Sequence, residues 1–248
     1  MKKVKTCIIT GYGINADREL ASAFKAAGSD AERVHINDLI NNPVYLRSFQ
    51  IVGFPGGFSF GDHLGSGLVF AGLFKRNLKS ELSRFVTDGG LIIGVCNGFQ
   101  VLVKMGVLPN LSGDWTPDVS LIHNQSGVFE DSWVKVACPH ESRCVWTKGL
   151  SALDLPIRHG EGRFITGSPE IAQRLADDRL IAMTYETRNP NGSEDNIAGI
   201  CDSTGRIIGL MPHPEAYLHR ENHPEWRSGI QGDGLGIFRN GVLAASST

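Results

Sequence analysis

Gly-Gly-Leu-Ile-Ile-Gly-Val-Cys-Asn-Gly-Phe-Gln, residues 89–100, is the stretch from which the rest of the chain can be read. Leu91 to Val95 make an apolar run of strand length. It ends on Cys96, with Gly94 two residues before it and Gly98 two residues after. A sharp strand-to-helix turn needs that spacing, because the strand passes so close to the next helix that a Cβ at either flank collides. Such a turn predicts a strained, exposed Cys96 whose sulfur faces the free N–H groups of a helix, where a thiolate is stabilised. A lone cysteine at a strand end is more often a core side chain. The paired glycines favour a nucleophile.

A cysteine nucleophile needs a base, and the base needs an orienting group. Three His-x-Glu pairs are available: His159 with Glu161, His213 with Glu215, and His223 with Glu225. His213 follows the apolar run 207–211, which reads as a strand, so a rigid element would hold it. His223 lies in the polar run 219–227, which reads as a solvated loop or short helix. His159 follows only the brief apolar piece 155–157. The order of preference is His213, then His159, then His223, although any one such pair is by itself a common surface pattern. A further stretch, Phe-Pro-Gly-Gly-Phe-Ser-Phe-Gly-Asp-His-Leu-Gly-Ser-Gly at 54–67, follows another short apolar segment. A glycine-rich turn after a strand aims backbone N–H groups at a ligand oxygen, and it can complete an oxyanion hole with the N–H of Asn97. The stretch has neither the Lys-Ser/Thr of a Walker loop nor Gly-x-Gly-x-x-Gly spacing, which argues against a nucleotide site. A plain flexible turn is the simpler alternative.

Outward from the elbow, apolar runs alternate with helical stretches. Residues 4–10, 33–36, 50–54 and 91–95 read as strands. Residues 16–27, 64–87 and 97–105 read as helices, the second with Leu73, Leu78, Leu82, Phe85 and Val86 on one face. Alternation with short turns predicts an α/β fold, an open and mostly parallel sheet flanked by helices. From residue 118 the pattern turns strand-rich, at 119–122, 133–137, 180–185, 197–201 and 207–211. Some of these strands should form an antiparallel extension. One helix is expected at 168–176, with Ser168 as N-cap and Pro169 at its first position. No repeat, low-complexity segment or linker interrupts the chain, so residues 1–248 read as a single domain.

The bulk numbers set limits. A chain of 248 residues buries about 70–75% of its unfolded surface and needs no disulfides to hold a core. Its 41% hydrophobic and 20% charged content is that of a globular protein. A net charge of −2 makes no case for nucleic acid or an anionic membrane as partner. Five cysteines are an odd number in no disulfide spacing, and free thiols suggest a reducing, cytoplasmic setting. Cys7 and Cys201 sit in apolar runs and read as core. Cys138, His140 and Cys144, with His219 and His223, lack the paired thiolates of a structural zinc site, so no metal is expected. The charged start is followed by an apolar run of only about five residues, too short for a signal peptide or a membrane span.

Pro55-Gly-Gly57, Gly94-Val-Cys-Asn-Gly-Phe-Gln100 and Met211-Pro-His-Pro-Glu215, in that order, resemble the class I, triad-type glutamine amidotransferases. The segments 56–62, 96–100, 159–164, 189–193 and 197–201 give a finer resemblance, to the glutaminase subunits of phosphoribosylformylglycinamidine synthase in purine biosynthesis. The resemblance runs from about residue 4 to residue 240. It departs at Ala16, where the family often has Cys, and is weaker over 111–150 and after Ala216. It implies hydrolysis of glutamine through a thioester, with Cys96 as nucleophile, His213 as base and Glu215 as the group that orients it. It further implies that Gly57 and Asn97 receive the oxyanion, that Gln100 helps hold glutamine, and that ammonia passes to another subunit. The chain has no recognisable ATP site and implies no cofactor of its own. ATP and magnesium therefore belong to a large synthetase partner that aminates formylglycinamide ribonucleotide, and a small third subunit is left open. No role is assigned to His159, Glu161 or the 189–193 loop. The rival readings are an amidotransferase subunit serving another acceptor, an independent Cys hydrolase on a similar sheet, and a non-catalytic interaction protein. The complete Cys96, His213 and Glu215 set counts against the last.

Overall fold

The computed structural model describes residues 3–228 and 234–247. Its centre is four parallel strands fed by short helical crossovers. These strands are β1 (Lys5–Thr10), β2 (Asp30–His35), β3 (Ile51–Phe54) and β4 (Leu91–Val95). α1 (Asp17–Ala26) joins β1 to β2, a short α2 (Ile36–Asn41) follows β2, and α3 (Leu68–Thr87) joins β3 to β4. α4 (Asn97–Met105) follows β4. Next come β5 (Val119–Ile122), β6 (Glu130–Ala137), β7 (Ala152–His159), β8 (Arg163–Thr166), α5 (Pro169–Asp177), β9 (Ile181–Tyr185), β10 (Ile197–Cys201), β11 (Ile207–Leu210) and α6 (Leu235–Ser246).

The main sheet runs β2-β1-β3-β4-β11-β10-β9-β6-β7, and β5 pairs with β8 in a separate two-stranded ribbon. Pairing is parallel from β2 through β11 and antiparallel from β11 to β7. The expected parallel sheet with an antiparallel extension is therefore one continuous surface. Strand order reverses between β1 and β3, so right-handed crossovers send α1 to one face and α3 to the other. α1 packs against α6, while α3 packs against α4. On the first face Phe24 meets Phe238 with ring centroids 5.1 Å apart. β3, β4, β10 and β11 are buried along their whole length, as strands covered on both faces must be. In open sheets of this kind, ligands bind beyond the carboxyl ends of the strands near the reversal. Here the loops 11–16, 55–67 and 96–97 leave those ends.

Several elements differ from the sequence expectation. β7 and β8 were not expected. β7 alternates buried Leu153, Leu155, Ile157 and His159 with less buried neighbours, a period-two pattern that Pro156 disguises. Proline is tolerated because β7 is the sheet edge. α6 was hidden by Gly236 and Gly241, and a Cβ on Gly241 would overlap the Trp146 ring. α2 is too short to show a period. α3 starts at Leu68 rather than at 64, because Gly67 sits at φ 76° before it. α5 begins at Pro169 as expected, yet Ser168 makes no capping hydrogen bond. Among the described residues no helix is long and apolar enough to cross a membrane.

Candidate active site

Cys96 leaves β4 at φ 51°, ψ −107°, a sparsely populated backbone state that costs on the order of 1–3 kcal/mol. Two hydrogen bonds pin it there. Its N–H donates to the Leu210 carbonyl at 2.8 Å, and its own carbonyl accepts from the Gln100 N–H at 3.1 Å. The flanking glycines do what their spacing implied. A Cβ on Gly94 would stand 2.7 Å from the Gly98 carbonyl oxygen, and one on Gly98 would overlap the Phe54 carbonyl oxygen. Strain is thus as expected, but exposure is not. Cys96 is only 6% exposed, because β7 and the loop after it roof the elbow. The thiol approaches the Arg158 carbonyl at 3.8 Å.

His213 stands three residues past the end of β11, which lies next to β4 in the sheet, and its N–H donates to the Pro156 carbonyl at 2.8 Å. A short turn, Pro214–Ala216, folds Glu215 back beneath it. His213 Nδ1 donates to Glu215 Oε1 at 2.6 Å, so Nε2 is the face left for chemistry. Both side chains are buried. Burial opposes a charged imidazole, but the Glu215 carboxylate and the nearby Cys96 sulfur outweigh it and push His213 up to about 10. At neutral pH the arrangement is an imidazolium between a carboxylate and a sulfur. Gly56 lies against the ring, where a Cβ would come within 2.8 Å of Cε1.

The carbonyl of Gly56 accepts from the Asn15 and Ala16 N–H groups at 3.3 and 3.1 Å. Across that planar trans peptide, the Gly57 N–H points the opposite way. Asn97 opens α4, where its backbone N–H is one of the orphan donors of a helix start. Its side chain accepts from the Ser59 N–H at 3.3 Å and donates to Gln100 Oε1 at 2.9 Å and to Asp62 Oδ1 at 3.4 Å. Gln100 in turn donates to the Glu161 carbonyl at 2.5 Å. Both ends of the Gln100 amide are therefore engaged by the protein, and its visible work is to hold the loop after β7. Burial, with Glu161 nearby, raises Asp62 above the usual carboxylate range.

The structure brings Cys96, His213 and Glu215 together. His223, expected in a solvated loop or short helix, does cap a short helical turn, Arg220–Asn222, but it is buried against Trp133, and its Nε2 donates to Asp154 Oδ2 at 3.2 Å. It plays no part in the site. Residues not singled out for chemistry brace the roof. Asn191 Nδ2 donates to the Gly162 carbonyl at 2.8 Å and to the Tyr185 hydroxyl at 3.2 Å. Phe164 N–H donates to Ser193 Oγ at 3.0 Å, and Arg163 Nε to the Gly192 carbonyl at 3.1 Å. The 159–164 and 189–193 segments were visible as motifs, but their meeting in space was not. A cavity of about 420 Å³ lined by Arg47, Arg84, Phe85 and Asp88 opens near Gln50 and Leu91, at the opposite ends of β3 and β4, away from this chemistry. Among the described residues no group of three His, Cys, Asp or Glu side chains is placed to hold a metal.

A strained cysteine at the carboxyl end of a central strand, beside a buried His-Glu pair, defines a triad-type amidotransferase. The chain belongs to the family described as the CobB/CobQ-like glutamine amidotransferase domain, whose model matches residues 3–243. Within it, the chain is similar to "Phosphoribosylformylglycinamidine synthase subunit PurQ" of Dehalococcoides mccartyi, 45% identical over 98% of each chain. The protein of that name from Methanococcus maripaludis is 41% identical over 90% of this chain and 86% of its own. Among solved structures, "Structure of PurLQS from Thermotoga maritima" superposes with a TM-score of 0.76 at 27% identity, covering 98% of this chain and 99% of that one.

Proposed function

We propose that this chain is the glutaminase subunit of a phosphoribosylformylglycinamidine synthase. It hydrolyses glutamine to glutamate and ammonia. A synthetase subunit then uses the ammonia, with ATP, to convert formylglycinamide ribonucleotide to formylglycinamidine ribonucleotide. The observation that carries the reading is Cys96, strained on its elbow beside the buried, hydrogen-bonded His213–Glu215 pair. The acceptor is supported by the whole-length similarity to PurQ proteins.

The Cys96 sulfur attacks the carboxamide carbon, and the carbonyl electrons move to oxygen, toward the N–H groups of Asn97 and Gly57. The intermediate collapses by breaking the C–N bond. His213 gives its Nε2 proton to the leaving nitrogen, and ammonia departs from a Cys96 thioester. Now neutral, His213 takes a proton from water as the water attacks the thioester. The C–S bond breaks, and glutamate leaves. Glu215 holds the imidazole in its working tautomer throughout. Gln100 secures the Glu161 backbone beside the bound substrate. The chain is assigned no cofactor; ATP and magnesium act on the synthetase.

Ammonia in neutral water is mostly ammonium, which has no lone pair for attack, so its route must be closed to solvent. The mouth of the site carries exposed apolar side chains: Tyr12, Phe58, Leu64, Leu68, Val128 and Phe129. Phe58 and Phe129 face each other with ring centroids 6.3 Å apart. This rim is the face we assign to the synthetase, and the PurLQS likeness supports a small third subunit in the assembly. The five unpaired cysteines fit the cytoplasm.

The reading is tested by acid-quenching the enzyme during glutamine turnover and mapping adducts by peptide mass spectrometry. A glutamyl thioester on Cys96 is expected, and a glutamine-like electrophile should label Cys96 before any other thiol. Labelling at Cys138 or Cys144 with Cys96 untouched contradicts it.

A further inference from the structure

The mechanism above uses only the backbone of Asn97, yet its side chain is fully buried. The hydrogen bonds of that side chain run to the Ser59 N–H, Asp62 Oδ1 and Gln100 Oε1, none of them backbone of α4. The amide orientation is fixed from both ends. The Ser59 N–H can only donate, so it meets Oδ1. The Glu161 carbonyl can only accept, so Gln100 gives it Nε2 and turns Oε1 to Asn97 Nδ2. From there the bonds close into a ring. Glu161 Oε2 accepts from the Ser66 N–H at 3.1 Å, and Ser66 Oγ donates to Asp62 Oδ2 at 3.0 Å. Asp62 Oδ1 then returns to Asn97 Nδ2 at 3.4 Å. The ring joins the head of α4, the loop after β7 and the glycine-rich loop 55–67.

The glycine-rich loop is also held on its other flank. Gly57 forms a bridge with Ile14, the Phe58 N–H donates to the Gly13 carbonyl at 3.0 Å, and the Phe60 N–H donates to the Tyr12 carbonyl at 2.7 Å. These bonds reach the 11–16 loop and leave the distance from Gly57 to α4 unset. Among the described residues, the hydrogen bonds that tie residues 57–62 to the head of α4 are those of the Asn97 side chain. We propose that this side chain is a positioning residue for the oxyanion hole, fixing the spacing between the Gly57 N–H and the Asn97 N–H. The inference rests on the glutaminase reading above. Two donors stabilise an oxyanion only when both stand about 2.7–3.1 Å from the place its oxygen will take. Here one donor sits on a loop and the other on a helix, so their spacing needs a bond between the two elements. Ser59, two residues after Gly57, supplies it. Charge on the oxygen develops only after glutamine is bound, so the brace acts on the chemical step.

Asn97→Ala keeps the backbone N–H and removes the brace. In the assembly with the synthetase it should lower kcat for glutamate release by about tenfold to a hundredfold and leave the KM for glutamine within a few-fold. A raised KM with kcat kept would mean that the side chain serves glutamine binding through Gln100, and that result overturns the proposal. Unchanged kinetics overturn it too. Hydrogen–deuterium exchange in the free chain reads the brace without any turnover. The Ser59 amide should exchange slowly in the wild type, although it lies in a glycine-rich loop. In Asn97→Ala the amides of residues 57–62 should exchange about tenfold faster or more, while β3 and β4 keep their protection. Fast exchange of Ser59 in the wild type, or no change in the variant, also overturns the proposal. Turnover by the wild-type assembly tests the glutaminase reading separately.

Discussion

Cys96 and His213 are both held in states that cost energy in isolation. The cysteine backbone is strained, and the buried imidazole holds a charge because of the sulfur and the Glu215 carboxylate beside it. His213→Ala should therefore cost several orders of magnitude in glutamine hydrolysis, since triad members act as a unit. Glu215→Gln should cost less, because an orienting group is partly replaceable; steady-state glutamate release measures both. His223→Ala should behave differently. It removes a buried bond to Asp154, so it should lower stability by about 1–3 kcal/mol and leave turnover per folded molecule within a few-fold. Equal damage from His223→Ala and His213→Ala would contradict the assignment. The His213 pair was legible because a strand-like run precedes it; His223 was rightly ranked last, but its burial was not legible because its neighbours are polar and its burial partners lie far away in sequence. His159 adds a pH effect. Its value falls from 6.5 in the unfolded chain to about 4 in the fold, so the unfolded state binds the extra proton between those values. That contribution is complete above pH 6.5 and is lost as pH falls toward 4, by about 3 kcal/mol. Urea unfolding across that range should show the loss in wild type and a smaller one in His159→Gln.

At the scale of elements, the elbow is set by how closely β3, β4 and α4 pass. Gly98→Ala should be severely destabilising, because its Cβ meets backbone at Phe54, which cannot step aside. Gly72→Ala is its control. Gly72 lies inside α3 with open space around it, so alanine there should stabilise the protein by about 1 kcal/mol. Thermal melting of the two variants checks both signs. In the parallel half, β1, β3, β4 and β11 were legible because each is a short apolar run, whereas β2, with only Ala31 and Val34 buried, showed no more than its end. The antiparallel half was less so. β7 carries Pro156 and reads as broken, yet it supplies the Pro156 and Arg158 carbonyls that meet His213 and Cys96. The same roof explains why Cys96, expected to be exposed, is covered. Covering is tertiary, and no local pattern encodes it.

In the whole molecule, the site opens on an apolar rim built from three separate loops, which no single stretch of sequence announces. Phe58→Ser combined with Phe129→Ser should weaken binding of the synthetase by about tenfold or more, while melting stays near wild type, because both side chains are about half exposed already. A pull-down titration reads the change. If that docking closes the ammonia route, hydrolysis in the free chain wastes glutamine, and the loop 55–67 beside His213 is placed to respond. Gly56 contacts the imidazole from one side and the 11–16 loop from the other, so a small shift there reaches both. The most direct test is glutamate production by the chain alone, and then with the synthetase, ATP and formylglycinamide ribonucleotide. The account predicts slow release alone and strong stimulation on mixing, with both abolished by Cys96→Ala. Full turnover in isolation that mixing leaves unchanged, or turnover that survives Cys96→Ala, would contradict it.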